Sequence, residues 1–225
     1  MIRPQAPTVA DSLFDEIDTP LEDQVERRFQ PWVRRELHPF LNALPCLTDL
    51  QRIRKRWKSR TGSPDAFGTF KADPSHWYTF NHGGRTEGQL NLGMFPQYFR
   101  VGIGFEFTEK QGGDPTEVTF AYTAFRNITE SSSEYAEFVA NNLIEVEFFP
   151  TRTGELGHDS MNAVVGWEPA AHPPIQWIFF GRLLRRGVDQ HILEDAEAFS
   201  NVITDVLCGF KPFWARAQLQ AAKWK

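Results

Sequence analysis

The chain is short of several features that define large classes of protein. It has only two cysteines, Cys46 and Cys208, which are too few for a disulfide framework and have no metal-ligand spacing. We expect both to be buried thiols in a reducing compartment. No apolar run approaches the roughly 20 residues that span a bilayer, and an acidic N-terminus stands where a signal peptide needs an apolar segment. The sequence therefore predicts a soluble, cytoplasmic protein without membrane contact.

Motifs of the common enzyme classes are also missing. The sequence has no nucleotide-binding glycine loop, no serine-centred elbow and no Cys-His signature. Its six histidines are dispersed and form no metal-ligand pair at helical spacing. The net charge of -5 argues against a protein that coats nucleic acid with its whole surface, although the charge is unevenly spread. No cofactor motif supports a small-molecule enzyme.

Aromatic residues are abundant, with 20 phenylalanines and 7 tryptophans in 225 residues, enough for one sizeable core. Helix and strand patterns occur in blocks, which predicts an α+β fold with an antiparallel or mixed sheet. In this fold, a three-stranded meander over about residues 77–107 packs against N-terminal, middle and C-terminal helices. Residues 1–18 are predicted to form a flexible acidic arm. Residues 19–225 are predicted to form a single domain with a helical part over 19–60.

The predicted meander fixes which side chains share a face of the sheet. Gly83-Gly84 predicts a tight hairpin turn, since such turns need the positive φ that glycine adopts cheaply. Alternate residues of a strand point to the same side, so one face collects polar and aromatic side chains. These are Tyr78, Phe80, His82, Arg85, Glu87, Gln89 and Asn91. On the third strand Phe99, Val101, Ile103 and Phe105 form the core side, while Arg100, Gly102, Gly104 and Glu106 join the polar face.

Two alternatives stay open for this polar face. Gly102 and Gly104 leave bare backbone that either marks close approach by a ligand or another chain, or makes room for a packed helix or a bulge. Likewise the polar and aromatic side chains either hold a flipped or single-stranded base, or form a covered network in which Arg85 pairs with an acid. In the first alternative Tyr78, Phe80, His82, Arg85, Asn91 and Arg100 contact nucleic acid.

A strongly basic segment precedes the meander. It carries Arg52, Arg54, Lys55, Arg56, Lys58 and Arg60 without an acidic residue, on a helix predicted from about Asp49 to Arg60. Like charges repel on a helix, and a polyanion would relieve that repulsion. Arginine-rich helices follow phosphates through charge-assisted contacts, so the segment favours nucleic acid. The alternatives are a solvated helix face or docking on the chain's own acidic arm.

A metal-dependent nuclease pattern is a further interpretation. Asp65 after Pro64, followed by Glu87-Gly88-Gln89 on a strand, resembles a pattern in which an Asp and a Glu bind Mg²⁺ and a nearby polar group orients the attacking water. The predicted metal ligands are Asp65 and Glu87, and the predicted catalytic residues are Asp65, Glu87 and Gln89. The usual lysine is replaced by Gln89 in this pattern.

Three runs together resemble a segment of bacterial proteins grouped with restriction endonucleases. They are His76-Trp77-Tyr78-Thr79, His82-Gly83-Gly84-Arg85-Thr86-Glu87-Gly88-Gln89-Leu90-Asn91-Leu92-Gly93 and Arg100-Val101-Gly102-Ile103-Gly104-Phe105, with Phe179-Phe180-Gly181-Arg182-Leu183-Leu184 further on. In some of those proteins, which include modification-dependent enzymes, the segment lies in an N-terminal domain ahead of an HNH nuclease domain. No His-Asn-His domain follows in this chain. The resemblance therefore implies recognition, or an activity within the meander domain.

These observations predict a DNA-interacting protein of the restriction or defence type. It would hold the phosphate backbone with the basic segment and present the polar face to a modified or flipped base, or to a scissile phosphate. If it is an enzyme, it is a Mg²⁺-dependent DNA endonuclease. The alternative is a non-catalytic protein-interaction module that uses an aromatic surface and the basic helix, as a homodimer or with a protein partner.

Overall fold

The computed structural model describes residues 7–18, 29–52, 68–70, 73–81, 87–106, 120–150, 157–159 and 175–223. The α-helices are α1 (Asp11–Asp18), α2 (Phe29–Trp32), α3 (His38–Asn42), α4 (Phe120–Thr129), α5 (Ser133–Asn141), α6 (Gln190–Leu193) and α7 (Ala196–Ala222). A π-helical segment, Val33–Leu37, joins α2 to α3, and Pro45–Leu47 form a 3₁₀ turn. The strands are β1 (Gln51–Arg52), β2 (Gly68–Phe70), β3 (Asp73–Asn81), β4 (Gln89–Phe95), β5 (Tyr98–Glu106), β6 (Glu145–Pro150), β7 (Gly157–Asp159) and β8 (Ile175–Arg185).

The strands form one sheet in the order β1-β3-β4-β5-β8-β6-β7, with β2 paired to β3. Strand β6 lies antiparallel to both β7 and β8, and β2 lies antiparallel to β3. The predicted α+β class with an antiparallel sheet is confirmed. Strands β3, β4 and β5 are consecutive neighbours as in the predicted meander, but the sheet continues beyond them through β8.

The chain divides into two compact units. One comprises Met1–Phe80, Asn91–Val101 and Leu183–Thr204, and the other comprises Asn81–Leu90, Gly102–Arg182 and Asp205–Lys225. The sequence predicted a single domain over 19–225. Neither unit is a continuous stretch of chain, because β4, β5, β8 and α7 each contribute residues to both.

The first unit includes the helix α1 at Asp11–Asp18, within the segment 1–18 that was predicted to be a flexible acidic arm. Val9, Leu13 and Phe14 are buried, and the Val9 N–H donates to the Leu193 carbonyl at 2.7 Å. The Arg186 guanidinium pairs with Asp15 at 2.6 Å and Asp11 at 3.4 Å. The acidic residues that suggested a solvated arm are therefore the ones that attach α1, while its apolar side is buried.

The second unit has an aromatic core between the sheet and its helices. The Phe105 ring on β5 contacts Tyr122 and Phe125 of α4, with ring centroids 5.4 and 5.1 Å apart. Phe125 also packs against Phe180 of β8 and Phe210 of α7. Phe99, Val101, Ile103 and Phe105 are all buried, so the predicted core side of the third strand is confirmed.

The helix predicted over the basic segment, from about Asp49 to Arg60, is wrong where the structure describes it. Gln51 and Arg52 form β1 next to β3, so the helix predicted from Asp49 is wrong at these residues, because pairing in a sheet overrides local helix preference. The other residues of that helix, 53–60, lie outside the described residues. Ser131 and Glu134 match a capping-box pattern, which predicts a helix from Ser131 through about Asn142. This helix exists as α5, but the residue that caps it is Ser132.

Both cysteines are disulfide-bonded, which corrects the prediction of two buried thiols. The number and spacing of cysteines in a sequence do not show whether they are oxidised. Among the described residues, no helix is both long enough and apolar enough to cross a bilayer.

Candidate functional site

The structure describes some of the predicted site residues more fully than others. Glu87, Gln89, Asn91 and Arg100 have described side chains, whereas Arg52, Tyr78 and Phe80 are described as strand backbone only. Asp65, Arg54, Lys55, Arg56, Lys58, Arg60, His82 and Arg85 lie outside the described residues. The part of the polar face that can be described therefore lies on β4 and β5 and their neighbour β8.

The register of β4 against β5 follows from three contacts. The Phe95 and Tyr98 rings stack with centroids 4.6 Å apart across the two-residue turn. A Cβ on Gly93 would lie 2.9 Å from Nε of Arg100, and one on Gly88 would lie 2.6 Å from the Phe105 ring. Each pair has the same sum of residue numbers, as an antiparallel hairpin requires. The same sum of residue numbers pairs Gln89 with Gly104.

The polar face is covered along β4. Every residue of this strand is buried on both sides of the sheet, and the exposed fractions of Gln89, Asn91 and Arg100 are 4%, 1% and 5%. Gln89 and Asn91 point to the same side, since they are two residues apart in a strand. These three side chains are therefore covered in the folded chain and are not open to nucleic acid.

Atoms of the neighbouring strand β8 fill the space beside the two bare glycines of β5, backbone atoms at Gly102 and a ring at Gly104. A Cβ on Gly102 would overlap the Phe180 carbonyl oxygen and lie 2.9 Å from Cζ of Phe179. A Cβ on Gly104 would overlap the Trp177 indole. The close approach predicted at Gly102 and Gly104 is therefore made by the chain's own β8 strand. Neither open alternative, a ligand or second chain on one hand and a packed helix or bulge on the other, is what fills the space.

Gln89, Gly104 and Trp177 form a row across β4, β5 and β8, which we call the Gly104 row. All three residues belong to the second unit. Trp177 is half-buried, whereas Phe179, two residues along the same strand, is completely buried.

Unsatisfied polar atoms mark the same strand. Oε1 of Gln89 and Oδ1 of Asn91 are buried without a hydrogen-bond partner in the part of the chain that the structure describes. A buried acceptor without a donor costs roughly 1–3 kcal/mol, so native proteins keep few of them. Such atoms are candidates for contact with a ligand.

Arg100 and Asn91 belong to the first unit. The Arg100 guanidinium lies over the Phe95 ring, 4.7 Å from its centroid, and its side chain covers Gly93. These contacts hold the guanidinium in place and remove it from water. Arg100 is thus an internal cation in this state of the protein.

Glu87 lies half-buried just ahead of β4. The carbonyl of its neighbour Gly88 accepts a 2.8 Å hydrogen bond from the Trp214 indole N–H. The predicted partner Asp65 lies outside the described residues. Among the described residues, no group of three or more His, Cys, Asp or Glu side chains is arranged to hold a metal ion.

Glu147 is a buried acid that the sequence reasoning missed. Its exposed fraction is 0%, and it stands opposite Phe179 in the register of β6 and β8. In the sequence, Glu145 and Glu147 alternate with Ile144, Val146 and Phe148, a pattern typical of a strand with one solvated face. Only the neighbouring strands show that this face is covered.

No protein-family model matches the chain, and a comparison with curated proteins likewise finds no match. The resemblance to restriction-type proteins stays a prediction. Function must be inferred from the residues and their geometry.

Proposed function

We propose that this protein binds DNA and belongs to a restriction or defence system. The observation that carries the proposal is the basic segment, with six cations and no acid between Arg52 and Arg60 in a chain whose net charge is -5. Cations concentrated in this way bind phosphates and release condensed counterions, and that release supplies most of the affinity for nucleic acid.

The polar face of β4 and β5 supports recognition of a base in addition to phosphate binding. The Gln89 amide carries an acceptor without a donor in the described part of the chain, and amides read base edges by hydrogen bonds.

Mg²⁺-dependent cleavage is a second part of the proposal. Glu87 would supply a carboxylate ligand together with Asp65, and Gln89 would orient the attacking water. Gln89 is buried in this structure, so an attacking water has little access to it, whereas phosphate binding by the basic segment does not depend on Gln89. We therefore place recognition first and cleavage second.

The test is a gel-shift and cleavage panel with modified and unmodified duplexes and single strands, with and without Mg²⁺. The proposal expects a shift on at least one DNA, weakened as salt rises. Cleavage that needs Mg²⁺ and disappears in Glu87→Gln, with an unchanged melting temperature, would support the catalytic part. No shift and no cleavage on any DNA would reject the proposal.

A cytoplasmic location is part of the same proposal, because a restriction protein meets DNA there. The two disulfide-bonded cysteines are instead typical of an oxidising compartment. Titration of the free thiols in protein denatured directly from cells distinguishes a cytoplasmic location from an oxidising compartment. Two reactive thiols per chain would agree with the cytoplasm, and none would contradict it.

A further inference from the structure

We infer that oxidation of the two cysteines is a redox switch for DNA binding. The oxidised state restrains the turn that leads into the basic segment, and the reduced state removes this restraint and binds DNA more weakly. This inference rests on the proposed DNA function and specifies how the same segment is regulated. It also reconciles the disulfide-bonded cysteines with a cytoplasmic location, because disulfides of cytosolic proteins are usually transient and redox-sensing.

The cysteine content of the chain limits the possible redox states. Cys46 and Cys208 are both disulfide-bonded, and the sequence contains no other cysteine. The oxidised chain therefore has no spare thiol that could exchange with the disulfide and form another pairing. Reduction and oxidation interconvert one state with two thiols and one state with none.

Cys46 lies close to the start of the basic segment. It is the middle residue of the 3₁₀ turn Pro45–Leu47. The Leu50 N–H donates to the Leu47 carbonyl at 3.0 Å, and this hydrogen bond holds the chain between the turn and β1. Strand β1 ends at Arg52, which is the first cation of the basic segment. A covalent restraint on Cys46 is therefore passed through only a few residues to the segment that binds DNA.

The residues around Cys46 decide what reduction removes. Leu44 and Leu47 flank it and are buried, so the reduced chain keeps this turn packed in the core and loses only the covalent restraint. A restraint that orders a binding segment in advance lowers the entropy cost of binding. The oxidised state should therefore bind DNA more tightly than the reduced state.

The switch is a thiol–disulfide exchange with a low-molecular-weight disulfide such as oxidised glutathione. One protein thiol loses its proton, attacks a glutathione sulfur and forms a mixed disulfide, and the first glutathione leaves as a thiolate that takes up a proton. The second protein thiolate attacks the protein sulfur of the mixed disulfide and releases the second glutathione in the same way. Two protein thiols are oxidised and one glutathione disulfide is reduced to two thiols. The reverse sequence restores the reduced chain.

The first experiment measures the affinity of the full chain for a labelled duplex and a labelled single strand by fluorescence anisotropy. Wild-type protein is compared in reduced and in oxidised glutathione at fixed salt. We expect binding that is about 5-fold tighter, or more, in oxidised glutathione. The double variant Cys46→Ser/Cys208→Ser should bind in both buffers with the affinity of the reduced wild type.

A control variant and a second measurement separate regulation from stability. Ala43→Ser places a serine at an exposed position near the turn and leaves both cysteines intact, so it should keep the redox difference. Circular dichroism of the reduced wild type should show an unchanged content of helix and strand. A loss of secondary structure on reduction would make the disulfide state structural and would reject the switch.

The outcomes distinguish failure of the switch from failure of the proposed function. Equal DNA affinity of the wild type in the two buffers would reject the switch while DNA binding stands. A redox difference that persists in the double variant would also reject it, because the effect would not come from the cysteines. If neither redox state binds any DNA, the proposed function fails and the switch fails with it.

Discussion

Gln89 bears a cost in the free protein that a ligand would remove. Its buried oxygen lacks a donor, and leaving a buried acceptor unsatisfied costs roughly 1–3 kcal/mol. Gln89→Leu should therefore leave the melting temperature unchanged or raise it, while base discrimination is lost. Chemical denaturation of the two proteins measures the difference. A clear loss of stability would show that the amide has partners in the fold and that its role is structural.

The two strand glycines test how closely β5 and β8 approach. A Cβ on Gly102 meets backbone atoms, the Phe180 carbonyl oxygen and the Gly181 Cα, which cannot move aside as a side chain can. Gly102→Ala should cost at least the upper end of the roughly 1–3 kcal/mol typical of overpacking. Gly187→Ala is the matched control, because Gly187 has open space and only its φ of 76° resists a side chain. Equal losses in the two variants, measured by urea unfolding, would contradict the packing described.

The side of the strand on which a side chain lies was predictable where the two-residue alternation of a strand alone determines it. Gln89, Asn91 and Arg100 do lie on the polar side of their strands, and Phe99 to Phe105 supply the buried side. The apolar run from Ile175 to Leu184 predicts a strand buried at Trp177 and Phe179, and nothing in that run indicates that the residue beside Trp177 on β5 is a glycine. Which ring fills a gap depends on the neighbouring strand, and the order of strands cannot be read from the hydrophobic period.

At the level of elements, α5 offers a test of helix capping. The Ser132 hydroxyl accepts a 3.1 Å hydrogen bond from the Tyr135 N–H, whereas the sequence pattern placed the cap at Ser131. Ser132→Ala should cost about 1 kcal/mol and Ser131→Ala only a few tenths. Thermal unfolding of the two variants measures both losses of stability. Equal losses would contradict the assignment of Ser132 as the N-cap.

The π-helical segment between α2 and α3 makes a pH-dependent contribution. Partial burial of Glu36 raises its pKa above the ordinary value of 4.5, and a hydrogen bond from the Thr8 N–H opposes this to a smaller extent. Between 4.5 and the raised pKa the folded state binds more protons than the unfolded state, so stability falls as pH rises through this window. Glu36→Gln should therefore be more stable than the wild type at neutral pH, with the advantage lost below about pH 4.5.

Melting temperatures of both proteins from pH 3 to 8 measure this effect, with Glu137→Gln as a control for the removal of one negative charge. Glu137 is exposed on α5. Curves for Glu36→Gln and the wild type that stay parallel over the whole range would contradict the burial argument.

For the whole molecule, the fold class was predictable because it depends on periodicity that each segment carries locally. Segment patterns predicted β5 and its buried side, and the composition predicted an aromatic core. The attachment of α1, the two disulfide-bonded cysteines and the covered polar face were not predictable. Each depends on contacts between residues far apart in the sequence, such as Arg186 with Asp15.

The central claim is that the segment from Arg52 to Arg60 binds DNA phosphates. The most direct measurement is the affinity for one DNA over a series of salt concentrations, for the wild-type protein and the double variant Arg54→Glu/Arg56→Glu. Arg34→Glu/Arg35→Glu is the matched control, because these two adjacent arginines are exposed and the total charge change is the same. We predict that the Arg54→Glu/Arg56→Glu variant loses DNA binding and that the Arg34→Glu/Arg35→Glu variant keeps most of it. For the wild type, a plot of log affinity against log salt concentration should be a straight line, with a slope of about -0.9 for each phosphate contacted. Equal losses in both variants, or wild-type binding that does not change with salt, would contradict the account.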